Sequence, residues 1–254
     1  MSGFVDLHSH VLYGLDDGAK TRDESLALLR IAHANGTTDI VATPHANSRF
    51  AFTPAIISER IAELAPQTPV TIHRGCDFHL HLSNIQDAVA HPRKYTIDAG
   101  AYLLVELSEA AVFSGTERIL STLIEAGMVP IITHPERHRQ LQSQPEMLAP
   151  WIELGCFVQV TAGSVTGLFG KSAARCAHWL VESGMAHFVS SDAHGSETRT
   201  PDLREAYGEL VKLFDEARIR PLFVDNPRAV IEGEELEVEA PPPVITKRKW
   251  YQFW

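Results

Sequence analysis

Polar and apolar residues alternate at the start of the chain, Phe4-Val5-Asp6-Leu7-His8-Ser9-His10, with Val5 and Leu7 set against Asp6 and His8. That period of two predicts a β-strand. A polar loop from Gly14 to Lys20 follows. Thr21 then opens a capping box with Glu24, and Leu26, Leu29, Ile31 and Ala32 supply the apolar face of a helix ending at Gly36. The same unit recurs. Further strands are predicted at 39–43, 70–75, 102–105, 129–133, 157–161 and 186–190. Helices are predicted between them: from Thr53-Pro54 to about Leu64, near Ile85 to Val89, from about Thr116 to Gly127, from a Ser143 cap to Gly155, from about Lys171 to Gly184, and near Pro201 to Phe214. Asn226-Pro227-Arg228 starts a short closing segment. Seven strands alternating with helices, at connection lengths used by parallel βα units, predict one α/β domain built as a (β/α)7 barrel.

Chemistry in such a barrel sits at the C-terminal ends of the strands. Six of the seven predicted strand ends carry His, Asp or Glu: His8 and His10, His45, Asp77, Glu106, His134, and Asp192 with His194. His8 and His10 are two apart on a strand, so they share a face and can reach one ion. One such residue at one strand end reads as a cap or a solvated loop; six on one rim read as a metal site. The donors are imidazoles and carboxylates without a nearby thiolate, which suits Mn²⁺, Zn²⁺ or Fe²⁺, and they exceed the needs of a single ion. Arg137 and Arg199 lie just beyond ligand positions, and a guanidinium fork binds phosphate oxygens bidentately. Alone, each arginine reads as a surface ion pair. Beside a metal cluster, the pair reads as phosphomonoester hydrolysis.

Composition narrows this picture without redirecting it. The chain has 254 residues, 44% of them hydrophobic, and a formal net charge of −10, which argues against binding a nucleic-acid backbone. Cys76, Cys156 and Cys176 are odd in number and far apart, so they imply no disulfide framework and fit a reducing compartment. No signal-peptide pattern or bilayer-length apolar run is present, and the expected location is cytoplasmic. A cysteine phosphatase would need Arg six residues after its nucleophile; those positions hold Leu82, Ala162 and Glu182. Gly163 to Ser172 resembles a P-loop but has Val165 where the first glycine belongs, and reads as a loop leading into a helix.

Five segments together resemble the PHP-type metal-dependent protein-tyrosine phosphatases of the bacterial CpsB/CapC capsule and exopolysaccharide family. They are His8-Ser9-His10, Leu15-Asp16-Asp17-Gly18, Thr43-Pro44-His45, Thr133-His134-Pro135-Glu136-Arg137 and Ser191-Asp192-Ala193-His194. The resemblance runs in order from Phe4 to about Gly233. It implies a distorted, TIM-like (β/α)7 barrel of the PHP fold with three divalent ions, manganese by preference and iron or zinc as alternatives. It further implies one ion on His8, His10, Asp77 and Asp192, a second on Asp77, Glu106 and His134, and a third on Asp17, His45 and His194. Arg137 and Arg199 match the phosphate-gripping arginines, and a metal-activated hydroxide would attack phosphorus. The implied substrate is a phosphotyrosine protein, the tail of a bacterial tyrosine kinase controlling polysaccharide export. One departure stands out: Gly75-Cys76-Asp77 places Asp where the family usually has Glu, one methylene longer. His79 and His81 follow at period two; the preferred reading is a histidine pair packed on a loop, the alternative that one supplements the site.

Three rivals remain. One is a PHP phosphatase of a small molecule such as histidinol phosphate. Another, an amidohydrolase, leaves both arginines unexplained and finds no bridging lysine at strand 4. A metal-binding regulatory or scaffold protein without turnover is the third. Residues 1–233 form the expected barrel, and 234–254 an acidic, proline-containing and then basic aromatic tail. That tail is expected either to be disordered or to dock on a second copy of the chain or a membrane surface.

Overall fold

The computed structural model describes residues 3–108 and 112–237. The expected tail therefore falls mostly outside the described residues, at 238–254. Its first residues lie along the barrel: Tyr102 Oη donates to the Glu234 carbonyl at 2.8 Å and accepts from the Leu236 N–H at 3.0 Å.

Nine strand segments occur among the described residues: β1 Phe4–Ser9, β2 Thr37–Ala42, β3 His45–Ala46, β4 Thr71–Arg74, β5 Asp77–His79, β6 Tyr102–Glu106, β7 Val129–Thr133, β8 Phe157–Thr161 and β9 Phe188–Ser190. They pair in parallel as β1-β2-β4 and β3-β5-β6-β7-β8-β9. The two sheets are one ring of seven staves. Stave two is β2 continued by β3 after Thr43-Pro44; stave three is β4 continued by β5 after Gly75-Cys76. Pro44 has no N–H to donate, which breaks the ladder there. Gly75 lets two staves touch, since a Cβ at this position would lie 2.6 Å from Val41 Cγ1 and 2.9 Å from Thr43 Cγ2. On the other side the ring closes through a Ser9–Ala193 bridge, with Asp192 N–H on the His8 carbonyl and His10 N–H on the Ala193 carbonyl, each at 2.8 Å. The seven-stave barrel is distorted at two kinks that periodicity alone did not reveal.

Helices follow each stave: α1 Arg22–Ala34, α2 Pro54–Leu64, α3 Leu82–Ala90, α4 Thr116–Glu125, α5 Arg139–Ser143, α6 Ala149–Glu153, α7 Ala162–Val165, α8 Lys171–Glu182, α9 Arg204–Leu213, α10 Glu216–Arg220 and α11 Asn226–Glu232. Thr21 caps α1 by accepting from the Glu24 N–H, but the Glu24 carboxylate accepts from Lys20 rather than from Thr21. Ser143 does not cap a helix; it ends α5, which His138 caps, because Pro145 and Pro150 divide the expected single helix. Strand residues alternate between two apolar layers. Leu103, Val105, Ile132, Val158 and Val189 pack outward with helix residues such as Leu120 and Leu180, whereas Val5, Leu7, Val41, Leu104, Ile131 and Phe188 cluster from staves all round the ring. Among the described residues no helix is long and apolar enough to cross a membrane.

His187, just before β9, is half-buried, and its Nδ1 accepts the Val158 N–H at 3.1 Å, which requires a neutral ring. Burial pushes its pKa down to about 4. The unfolded chain takes up this proton near the ordinary histidine value of ~6.5, so wild-type stability is lost as pH falls from there toward 4. We expect the urea-unfolding advantage of wild type over His187→Gln to shrink by roughly 1 kcal/mol per pH unit between pH 6 and 5; an unchanged gap would contradict the assignment.

Candidate metal centre

Strand register brings the ligand-type side chains together at the C-terminal rim. His45 on β3 is the parallel partner of Asp77 on β5, and His79 that of Glu106 on β6. The bridge between β1 and the 191–193 segment sets Asp192 beside His8 and His10. Just beyond β7 and β9, His134 and Asp192 take left-handed backbone conformations, at φ 35° and 50°, and Arg199 takes one in the following loop at 53°. Each such turn costs a non-glycine residue about 1–3 kcal/mol, and strain of this kind gathers where a rim must aim particular side chains.

Donor atoms within 4.8 Å of one another form four overlapping groups: His8, His10 and Asp192; His8, Asp77 and His134; His45, Asp77, His79 and Glu106; and His10, Asp17, His45 and His194. The nine residues expected as ligands all fall in these groups, joined by His79. His8 Nε2 lies 3.2 Å from His10 Nε2, 3.5 Å from Asp192 Oδ1 and 3.6 Å from Asp77 Oδ2. Asp17 Oδ1 stands 3.4 Å from His45 Nε2 and 3.5 Å from His194 Nε2. Asp77 is wholly buried, and neither of its carboxylate oxygens has a hydrogen-bond partner, although His45 Nδ1 is 2.9 Å from Oδ2. Glu106 Oε2 is likewise buried and unpartnered. Buried carboxylates in that condition are costly unless a cation faces them. The donor chemistry and these orphaned oxygens fit divalent metal ions.

A second layer orients the imidazoles. His8 Nδ1 meets Gln159 Oε1 at 3.0 Å, His10 Nδ1 meets Asp16 Oδ2 at 2.7 Å, and His194 Nδ1 meets the Asp192 carbonyl at 2.9 Å. With Nδ1 donating, each ring keeps an Nε2 lone pair for a cation. Asp16 also accepts the N–H groups of Gly18 and His45, at 2.9 and 3.1 Å. Gly18 permits this loop to lie against β1, since a Cβ there would come within 2.2 Å of the His10 carbonyl oxygen. Burial opposes the Asp16 charge, but the charge and hydrogen bond of His10 hold its carboxyl well below the usual range. Burial likewise pulls His10 down, yet Asp16 outweighs it and lifts His10 to about 9. His134 is pushed down to about 4 by burial and by Arg137, and His194 to about 3 by burial and by His10.

Arg137 and Arg199 converge on one atom. Both guanidiniums bond Asp192 Oδ2, Arg199 at 2.7 Å and Arg137 closer still, while Asp192 Oδ1 faces His8 and His10. Arg199 Nε is buried and has no hydrogen-bond partner among the described residues. The Phe169 ring supports both cations, 4.4 Å from Arg137 and 5.7 Å from Arg199. Clefts of about 280 and 220 Å³ flank the pair, one lined by Glu106, His134, Arg137 and His138, the other by Gly163, Phe169, Arg199 and Asp202. Glu136, between His134 and Arg137, is buried and accepts from the Thr161 N–H at 3.0 Å and the Ser164 hydroxyl at 2.7 Å, tying that turn to the end of β8.

Sequence reasoning missed Asp16, Gln159, Glu136 and Phe169. Gln159 had a signal, as a lone amide within an apolar strand; Phe169 had none, because its partners are remote in the chain. His79 was read as packed on a loop, whereas it lies on β5 inside the cluster. His81 is exposed at the start of α3, with Nδ1 2.9 Å from Ser83 Oγ. All three cysteines are buried, and burial pushes Cys156 up to about 12, so no thiolate nucleophile competes with the metal reading.

The family model described as capsular polysaccharide synthesis, CpsB/CapC, matches residues 4–232. The chain is 30% identical over 241 residues to tyrosine-protein phosphatase CpsB of Streptococcus pneumoniae, spanning 89% of this chain and 98% of that protein. It is 29% identical over 256 residues to tyrosine-protein phosphatase YwqE of Bacillus subtilis, spanning 98% and 100%. A solved structure from work on YwqE of Bacillus subtilis and CpsB of Streptococcus pneumoniae, described as unique metal-dependent tyrosine phosphatases, superposes with a TM-score of 0.86, at 29% identity and over 94% of this chain and 99% of that one. A β-aspartyl dipeptidase from Fervidobacterium islandicum AW-1 shares the fold alone, with a TM-score of 0.57 and 14% identity over 94% of this chain and 76% of that one.

If Asp16 sets the tautomer of His10, Asp16→Ala should weaken Mn²⁺ binding about ten- to a hundredfold, read by calorimetric titration. Wild-type affinity should rise between pH 6 and 8, because the proton held on His10 competes with the cation. Equal affinity in the variant would remove Asp16 from the metal centre.

Proposed function

The chain belongs to the CpsB/CapC family of capsular polysaccharide synthesis, and from that premise we propose that it is a metal-dependent protein-tyrosine phosphatase. The observation that carries this reading is Asp192, which shares one carboxylate between two imidazoles and two guanidiniums. It joins a metal-type donor cluster to a phosphate-type grip within a single side chain. Three divalent ions, manganese by preference, are proposed on the groups of His8, His10, Asp77 and Asp192, of Asp77, Glu106 and His134, and of Asp17, His45 and His194. Ions bound there would lower the pKa of water and neutralise charge on phosphoryl oxygens.

Arg137 and Arg199 are proposed to hold the phosphoryl group beside that cluster. Arg199 Nε is a buried donor awaiting an acceptor, and a phosphate oxygen suits it in position and charge. Phe169 keeps the two planar cations in place, so little side-chain freedom is lost on binding. Gln159 and Asp16 hold their imidazoles in fixed tautomers throughout. The departing phenolate of tyrosine has a conjugate-acid pKa of ~10, far below that of an alkyl alcohol, so the site needs no strong proton donor. Clefts on both sides of the arginine pair leave room for a polypeptide to run past. The proposed partner is the phosphotyrosine-bearing tail of a bacterial tyrosine kinase controlling polysaccharide export, met in the cytoplasm.

Chelator-treated protein resupplied with Mn²⁺ should hydrolyse a phosphotyrosine peptide in preference to a phosphoserine peptide and to histidinol phosphate. Arg137→Ala and Arg199→Ala should each lower kcat/KM by at least about a hundredfold, as expected when a charged hydrogen bond to the reacting group is lost. Preference for histidinol phosphate would move the protein to small-molecule hydrolysis. Absence of turnover with Mn²⁺, Fe²⁺ and Zn²⁺ would favour the scaffold role instead.

A further inference from the structure

Strand β5 presents two ligand-type side chains on one face, Asp77 and His79, and the parallel register sets each beside another: Asp77 beside His45, His79 beside Glu106. His79 Nε2 approaches Glu106 Oε2 closely and lies 3.3 Å from His45 Nδ1 and 3.3 Å from Asn47 Nδ2. Glu106 Oε2 is nevertheless buried without a hydrogen-bond partner, so the approach lacks the direction of an N–H···O bond. Nor can one ring nitrogen donate to Glu106 and also accept from the Asn47 amide. Nitrogen and oxygen lone pairs converging on one point are what a cation resolves.

We propose that His79 is a metal ligand on the Glu106 side of the centre, where its ligand atom lies within 4.8 Å of those of His45, Asp77 and Glu106. The proposal rests on the metal-centre reading above. Asp77 is shared: its carboxylate also faces His8, in the group that contains His134. A short carboxylate serving two sides leaves the Glu106 side short of donors, and His79 supplies a neutral nitrogen there without adding negative charge. His81, two residues further on, is exposed and turned to Ser83, which makes it a control on the same segment.

The test is Mn²⁺ titration of chelator-treated wild type, His79→Ala, His79→Gln and His81→Ala. Free Mn²⁺ is followed by electron paramagnetic resonance and bound Mn²⁺ counted after desalting, with circular dichroism confirming folding. Both His79 variants should lose at least about tenfold in affinity at one class of site, and His81→Ala none. His79→Cys should raise the affinity for Zn²⁺ relative to Mn²⁺, because a thiolate is a softer donor; a merely structural histidine would leave that ratio unmoved. Wild-type stoichiometry and affinity in both His79 variants would overturn the inference while leaving the metal centre standing. No Mn²⁺ bound by wild type would overturn both.

Discussion

The carboxylate of Asp192 is the point on which the site turns. It is 2% exposed, with one oxygen toward His8 and His10 and the other held by Arg137 and Arg199. Burial alone would make this acid neutral, but His8 and the other surrounding cations hold it well below the usual carboxylate range. A buried anion of this kind is tolerable only while its partners stay in place. The left-handed backbone at Asp192 and Arg199, the bridge from β1 to Ala193 and the Phe169 ring beneath the arginines all serve to keep them there.

The barrel explains how one rim can carry so much charge. Parallel staves bring residues remote in sequence into register, and alternation sends apolar neighbours to the two core layers while polar side chains collect at the strand ends. The kinks at Pro44 and Gly75 turn the ends of staves two and three into separate short strands, β3 and β5, and these carry His45, Asp77 and His79. Distortion of the ring and assembly of the site are thus one event. Unpartnered oxygens on Asp77 and Glu106 are the local cost, which divalent cations held there would offset.

The alternation of Val5, Leu7, Asp6 and His8, and its recurrence, made the seven staves legible, because strand period and connection length leave few other architectures. The strand-end residues were legible for the same reason: position along a strand predicts position on the rim. The two kinks were not, since Pro44 and Gly75 act through contacts with neighbouring staves that a single sequence does not display. Asp16 escaped notice because the adjacent Asp17 offered a simpler ligand, and Phe169 because its partners, Arg137 and Arg199, are remote in the chain. His79 was visible at period two from Asp77, but only the register with Glu106 distinguishes it from His81.

Crystals grown with Mn²⁺, measured on either side of the manganese absorption edge, would test the central claim most directly. The account predicts anomalous peaks among the donor atoms of His8, His10, Asp77 and Asp192, of Asp77, Glu106 and His134, and of Asp17, His45 and His194. Peaks elsewhere, or none at the rim in protein that binds Mn²⁺ in solution, would contradict it.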